Sequence, residues 1–122
     1  MDQNLTKVGV FNEEFNKIMD INLPIKDIYK SDGLEKHMRK RNHISCIPYL
    51  EEVSLIIKNP DYIGVNPKEP DSIELVKKYN DNVLVAIKLA KDGNTYYIAS
   101  VYDISEYKLS TRLHSGRMKT FK

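Results

Sequence analysis

Apolar residues recur along this chain with two different periods, and the change falls near residue 72. Before it the spacing is helical. Leu5 to Phe11 reads as a short strand, after which Asn12 caps a helix with Glu13 and Glu14 in its first turn and Phe15, Ile18 and Met19 on one side, running to about Asp20. Pro24 starts an extended piece over Ile25 to Lys30. A second helix over residues 33–41, capped by Ser31 or Asp32, places Leu34, His37, Met38 and Arg41 at i, i+3, i+4 and i+7 of one stripe. The third helix runs from about Ile47 to Lys58, with Pro48 in its first turn and Leu50, Val53, Ser54 and Ile57 on one face. Asn59 ends it, because the residue before a proline is pushed out of the α region. Tyr62 to Val65 is then a strand, followed by a loop marked by Pro67 and Pro70.

From Ser72 onward the period is two. Strands are expected at Ile73 to Tyr79, Asn82 to Ala90 and Thr95 to Ile104, with turns at Asn80-Asp81 and Asp92-Gly93-Asn94. Ile73, Val76 and Tyr79 also fit a helix loosely, so that first segment has two readings. In the middle strand Val83, Val85, Ile87 and Leu89 alternate with Leu84, Ala86, Lys88 and Ala90, so both faces are apolar until Lys88 interrupts one. Helices covering one face and a partly polar groove on the other account for that pattern. Tyr96, Ile98, Ser100 and Tyr102 fall on one face of the last strand. The expected fold is α+β, with amino-terminal helices packed on an antiparallel β-meander.

Composition narrows the class. A chain of 122 residues fits one domain, 1–122, with a single core, and 41% hydrophobic with 30% charged residues is the balance of an ordinary globular protein. No apolar run approaches the roughly 20 residues that span a bilayer, and Met1 to Asn4 lack the features of a signal peptide, so no membrane and a cytoplasmic location are expected. The basic carboxyl end, Thr120-Phe121-Lys122, is expected to be a natural chain end. Cys46 has no partner for an internal disulfide and reads as core, and no Cys or His spacing resembles a zinc site. Neither metal nor cofactor is expected. Nor do Glu51, Glu52 and Asp71, which belong to different elements, form the acidic cluster of a two-metal nuclease.

The net charge of +2 says little, but its distribution says more. Residues 36–43 carry four Lys or Arg and no acid, and the stretch after Glu106 carries five and no acid. Residues 36–43 and 108–117 are therefore expected to line one anion-binding cleft. His37 and His43 lie among the first group, and imidazole is the side chain whose charge changes near neutral pH.

Several stretches in this order resemble a known family: His37-Met38 followed by Lys40-Arg41, Tyr49 to Ile57, Asn59-Pro60-Asp61-Tyr62-Ile63, Val83 to Leu89, Tyr97-Ile98-Ala99-Ser100, and Lys108 to Arg117. The chain is similar, over roughly residues 26–117, to the phage-borne branch of the superfamily of barnase, EndoU, the tRNA-cleaving colicins and RelE-type toxins. Where that family often has a second histidine directly after the arginine, this chain has Asn42 and then His43. The resemblance implies a barnase/RelE-like fold and a metal-independent RNA endonuclease, of toxin or phage-effector type, acting on tRNA or mRNA. Such cleavage needs a base for the 2′-hydroxyl proton, an acid for the leaving 5′-oxygen and cations around the phosphorus. The family pattern then implies His37, Arg41, His43, Tyr102 and Ser110 as catalytic groups. Lys40, Lys88, Lys108, Thr111, Arg112 and Arg117 would hold RNA, and an immunity or antitoxin protein is a possible partner. A non-catalytic module that holds nucleic acid or an acidic protein on the same fold, or a bare structural domain of a phage particle, are the competing readings.

Overall fold

Asn12 separates β1 (Leu5–Phe11) from α1 (Glu13–Met19), and its side chain accepts from the amides of Glu14 at 3.0 Å and Phe15 at 3.3 Å. The structure, a computed structural model, describes residues 5–121; Met1 to Asn4 and Lys122, on which the expectations about a leader and a chain end rest, lie outside them. Buried Asn16 holds the amide and carbonyl of Leu23, each at 2.9 Å, and so turns the chain from α1 into β2 (Lys26–Ser31). The helix α2 (Leu34–Lys40) starts from Gly33 without a side-chain cap, where Ser31 or Asp32 was expected to supply one; Ser31 Oγ instead accepts from the Gly33 amide at 3.0 Å.

The helix expected from Ile47 to Lys58 is two pieces: a 3-10 helix, Ile44–Glu52, then α3, Val53–Lys58. Pro48 has no N–H to give and its ring crowds the carbonyl four residues back, so an α-helical ladder does not run through it. The change of pitch also changes the buried face. Val53, Ile56 and Ile57 are buried, while Ser54, expected on that face, is exposed.

The strand β3 (Tyr62–Asn66) is followed not by a long loop but by a tight turn, in which Asn66 Oδ1 accepts from the Lys68 amide at 2.9 Å. β4 (Glu69–Lys78) therefore begins ahead of Pro70, which sits where the β3–β4 register shifts and no ladder bond is required of it. Residues 73–78 are strand, which settles the helix alternative. β5 (Asn82–Leu89) and β6 (Tyr96–Ile104) follow, then α4 (Glu106–His114), capped by Ser105 Oγ on the Lys108 amide at 3.1 Å, and β7 (Met118–Thr120).

Among the described residues these strands make one sheet in the order β1-β2-β6-β5-β4-β3-β7. β3 through β6 pair antiparallel in chain order, one strand more than the three expected in the meander. The pairing of β2 with β6 is parallel, through Ile28–Tyr96 and Tyr29–Tyr97, so the sheet as a whole is mixed. No hairpin joins those two strands; the crossover between them holds α2, α3 and three strands, and that is what leaves a parallel pairing open.

The sheet has a core on each face. On one, Phe11 stacks on Tyr96 at 4.9 Å and packs edge-on to Phe15 at 5.2 Å, with Val53, Ile56, Ile73, Val85, Ile87 and Cys46 in the same cluster. On the other, Leu109 of α4 joins Val76, Leu84, Ile104 and Met118. Burying one such aliphatic side chain contributes roughly 1.5–3 kcal/mol, enough to hold a nine-residue helix flat on the sheet. α4 covers only part of its face. The remainder, between α4 and α2, is open.

Candidate active site

The end of α2 sets the first wall of that opening. The His43 amide donates to the Met38 carbonyl at 2.8 Å and the Asn42 amide to Arg39 at 3.2 Å, while Asn42 sits at φ 61°. This is a Schellman ending, which requires a left-handed residue at the position where Asn is tolerated next best after Gly. Asn42 thus turns the chain sharply and puts His43 over β6, where His43 Nδ1 lies 3.2 Å from Ser100 Oγ and its ring 5.1 Å from that of Tyr102, tilted by 32°.

The second wall is β6, and its faces differ from simple alternation. Ala86 pairs with Ser100 but Ile87 pairs with Ile98, leaving Ala99 as an extra residue, a β-bulge. Tyr96 and Ile98, expected on one face with Ser100 and Tyr102, are buried in the core on the opposite side. Tyr97, three residues before Ser100, shares the open face instead and is 42% exposed.

Between these walls is a cleft of about 670 Å³, lined by His37, Arg41 and His43 from the α2 side, by Tyr97, Ser100 and Tyr102 from β6, and by Lys88 from β5. His37 and His43 are half-buried; Arg41 is exposed. Lys88 Nζ meets Glu69 at 2.9 Å, a half-exposed pair whose hydrogen bond raises the ammonium's affinity for its proton. Burial lifts the Tyr102 hydroxyl above its ordinary value, the nearby Glu74 charge adds to this, and the charges of Arg112 and Arg117 offset part of it. No carboxylate lines the cleft.

Behind Tyr102 lies a group that the charge pattern does not suggest. Glu74 is 3% exposed, and its carboxylate takes Arg117 at 3.2 and 2.8 Å and Arg112 at 3.4 Å. The tail cations Arg112 and Arg117 were expected to be free of acid; their acid comes from β4, more than thirty residues upstream. Gly64, opposite Glu74 on β3, makes this possible, since a Cβ there would strike the backbone carbonyl of Arg117.

The profile of one family, described as phage-Barnase-EndoU-ColicinE5/D-RelE like nuclease3, matches residues 6–111. The chain belongs to this family. No curated protein and no solved structure matches it. A chain of this phage-associated nuclease family takes nucleic acid as its substrate class, and the matched residues include His37, Arg41, His43, Lys88 and Tyr102 but stop before Arg112 and Arg117.

In this nuclease the other sequence-derived candidates lie elsewhere. Ser110 borders a separate depression with Tyr62, Lys78, Glu106, Leu109, Leu113 and His114, which shares no lining residue with the cleft. Thr111 Oγ1 donates to the Tyr107 carbonyl at 2.9 Å within the helix, and Lys108 and Lys40 are exposed and do not line the cleft. An amphipathic helix that buries Leu109 must turn neighbours such as Lys108 and Ser110 away from the sheet. Two groups that sequence reasoning did not assign to the site are Tyr97 and Glu74, whereas Ser100 was expected beside Tyr102 where the family keeps phosphate-binding groups. Ser100 and Tyr97 sit in a quoted family stretch; Glu74 had no signal beyond being a charge in an apolar strand. Among the described residues no three of His, Cys, Asp and Glu converge as a metal-binding group.

Proposed function

We propose that the cleft cleaves RNA without a resident metal ion, by transfer of the phosphoryl group to the neighbouring 2′-hydroxyl. The observation that carries this reading is the meeting of two imidazoles, His37 and His43, with Arg41 and Lys88 in one cleft whose lining holds no Asp or Glu, the carboxylate at its edge being Glu69 on Lys88. One imidazole takes the 2′-hydroxyl proton as its oxygen bonds to phosphorus. The other protonates the 5′-oxygen as the bond from phosphorus to that oxygen breaks. Arg41 and Lys88 supply positive charge to the crowded phosphoryl oxygens, and Tyr102, protonated like any tyrosine near neutral pH, donates a hydrogen bond to one of them. Ser100 holds His43 through Nδ1, which leaves Nε2 for the substrate. DNA lacks the internal nucleophile, so the reading selects RNA.

The test is incubation with single-stranded RNA in excess chelator. RNA cut to fragments ending in 2′,3′-cyclic phosphate, with DNA of the same sequence left whole, is the expected result. RNA that binds but stays intact with and without divalent ions would make the protein a binding module on a nuclease fold.

A further inference from the structure

The chemistry above leaves one buried acid unused. Glu74 sits in a row across four strands, Gly64–Glu74–Ala86–Ser100, in which its neighbours are all small. The result is a trough in the sheet face, wide enough for two guanidinium groups to lie on one carboxylate. Arg117 comes in from the start of β7 past Gly64, and Arg112 from the last turn of α4. The adjacent row, Val76–Leu84–Tyr102, brings the phenol beside Arg112. Glu74 accepts from Arg112, the charges of both act on the Tyr102 phenol, and the Tyr102 ring lies 5.1 Å from that of His43, which reaches Ser100.

Glu74 is closed to substrate. Its oxygens already accept three guanidinium N–H groups and almost none of its surface is open, so no ribose hydroxyl reaches it. Its charge still matters, because two guanidiniums on one carboxylate leave a net charge of only +1 next to the cleft.

We propose that Glu74 is a positioning residue: it anchors Arg112 and Arg117 so that Arg112 holds the Tyr102 hydroxyl beside His43, and it withholds one of their two positive charges from the nucleic acid. This rests on the cleft being the nuclease site. Glu74 acts there through Arg112 and Tyr102, and touches no substrate.

The test is Glu74→Gln beside Glu74→Asp. Four quantities are read: kcat on RNA, the Kd of a non-cleavable 2′-deoxy oligonucleotide, the salt dependence of that Kd, and the Tyr102 titration as the ultraviolet difference from Tyr102→Phe. Glu74→Gln should lower kcat about tenfold, tighten Kd about threefold, steepen the salt slope by roughly one and lower the Tyr102 titration, since the groups facing that phenol are then His43 and two uncompensated arginines. Glu74→Asp, which keeps the charge on a shorter arm, should retain the parental salt slope. If the Gln protein does not fold, Arg112→Gln serves instead. It should lower kcat about tenfold and move Tyr102 upward, and unchanged values would sink the proposal. Loss of more than a thousandfold in kcat together with the acidic limb of the pH profile, at unchanged Kd, would make Glu74 a proton carrier and overturn it. So would a Gln variant that folds with all four readings at the parental values. Should the parent cut no RNA, the reading of the cleft fails, while the salt slope and the Tyr102 titration still decide the anchoring.

Discussion

Arg41 and Arg112 come from the two stretches that carry cations and no acid, yet Arg41 lines the cleft exposed while the Arg112 side chain is 16% exposed against Glu74. The contrast follows from which helix face each occupies. Arg41 caps the end of α2 at the chain reversal and is exposed there. Arg112 lies between Leu109 and Leu113, the residues that α4 turns toward the sheet, and meets there a carboxylate that would be strongly destabilising if left uncompensated. Even in α2 part of the charge is paired. Arg39 meets Glu35 at 2.9 Å, but both side chains are at least half exposed, so that pair contributes only about 0.3–0.5 kcal/mol and opens easily. Cations counted along a stretch are therefore not the cations its surface presents; burial of the opposite charge decides between the two.

The largest effects are expected on the α2 side. His37→Ala and His43→Ala should each lower the RNA cleavage rate about a hundredfold to ten-thousandfold while leaving the melting temperature near the parent's, since both side chains are half-exposed. A variant that cuts at the parental rate would remove that residue from the chemistry. Next in size is Asn42→Ala, which forces an ordinary side chain into φ 61° at a cost of about 1 kcal/mol and moves His43 off Ser100. Its rate should fall about tenfold, and Asn42→Gly should restore both stability and rate; equal rates in Ala and Gly variants would detach the helix ending from the site.

Two smaller effects sharpen the contrast between presented and tied charge. Arg41→Gln should weaken oligonucleotide binding several-fold and flatten its salt slope by roughly one, whereas Lys108→Gln, outside the cleft, should leave the slope as it is. Binding measured from low to high salt separates them, and equal slopes would mean that cations are read by number rather than place. The smallest effect concerns Tyr102. Its proton is held more tightly in the folded protein than the ordinary value of 10.0, so this contribution to stability is complete below pH 10 and is lost as pH rises through the folded value. Urea midpoints of the parent and Tyr102→Phe should therefore run parallel up to pH 10, and the parent's should fall relative to the variant's above it; parallel curves throughout would deny the shift.

Much of the scaffold was legible because its causes are local. Asn12 as a cap, Leu34 and Met38 on the inner stripe of α2 with His37 and Arg41 beside them, and the alternation of β4 and β5 all depend on neighbours within a few residues. The Asn42 turn is local too, although beside a family pattern it reads as a missing histidine rather than as the residue that aims the next one. Only the tertiary structure decided the rest. The bulge at Ala99, the parallel pairing of β2 with β6 and the hold of Glu74 on Arg112 and Arg117 each join residues far apart in the chain. A one-residue slip in strand register exchanges every side chain between core and cleft, and the energy that selects the register comes from the packing of the whole sheet. The sequence by itself therefore determined which residues could do the chemistry, and the fold determined which of them face the same space.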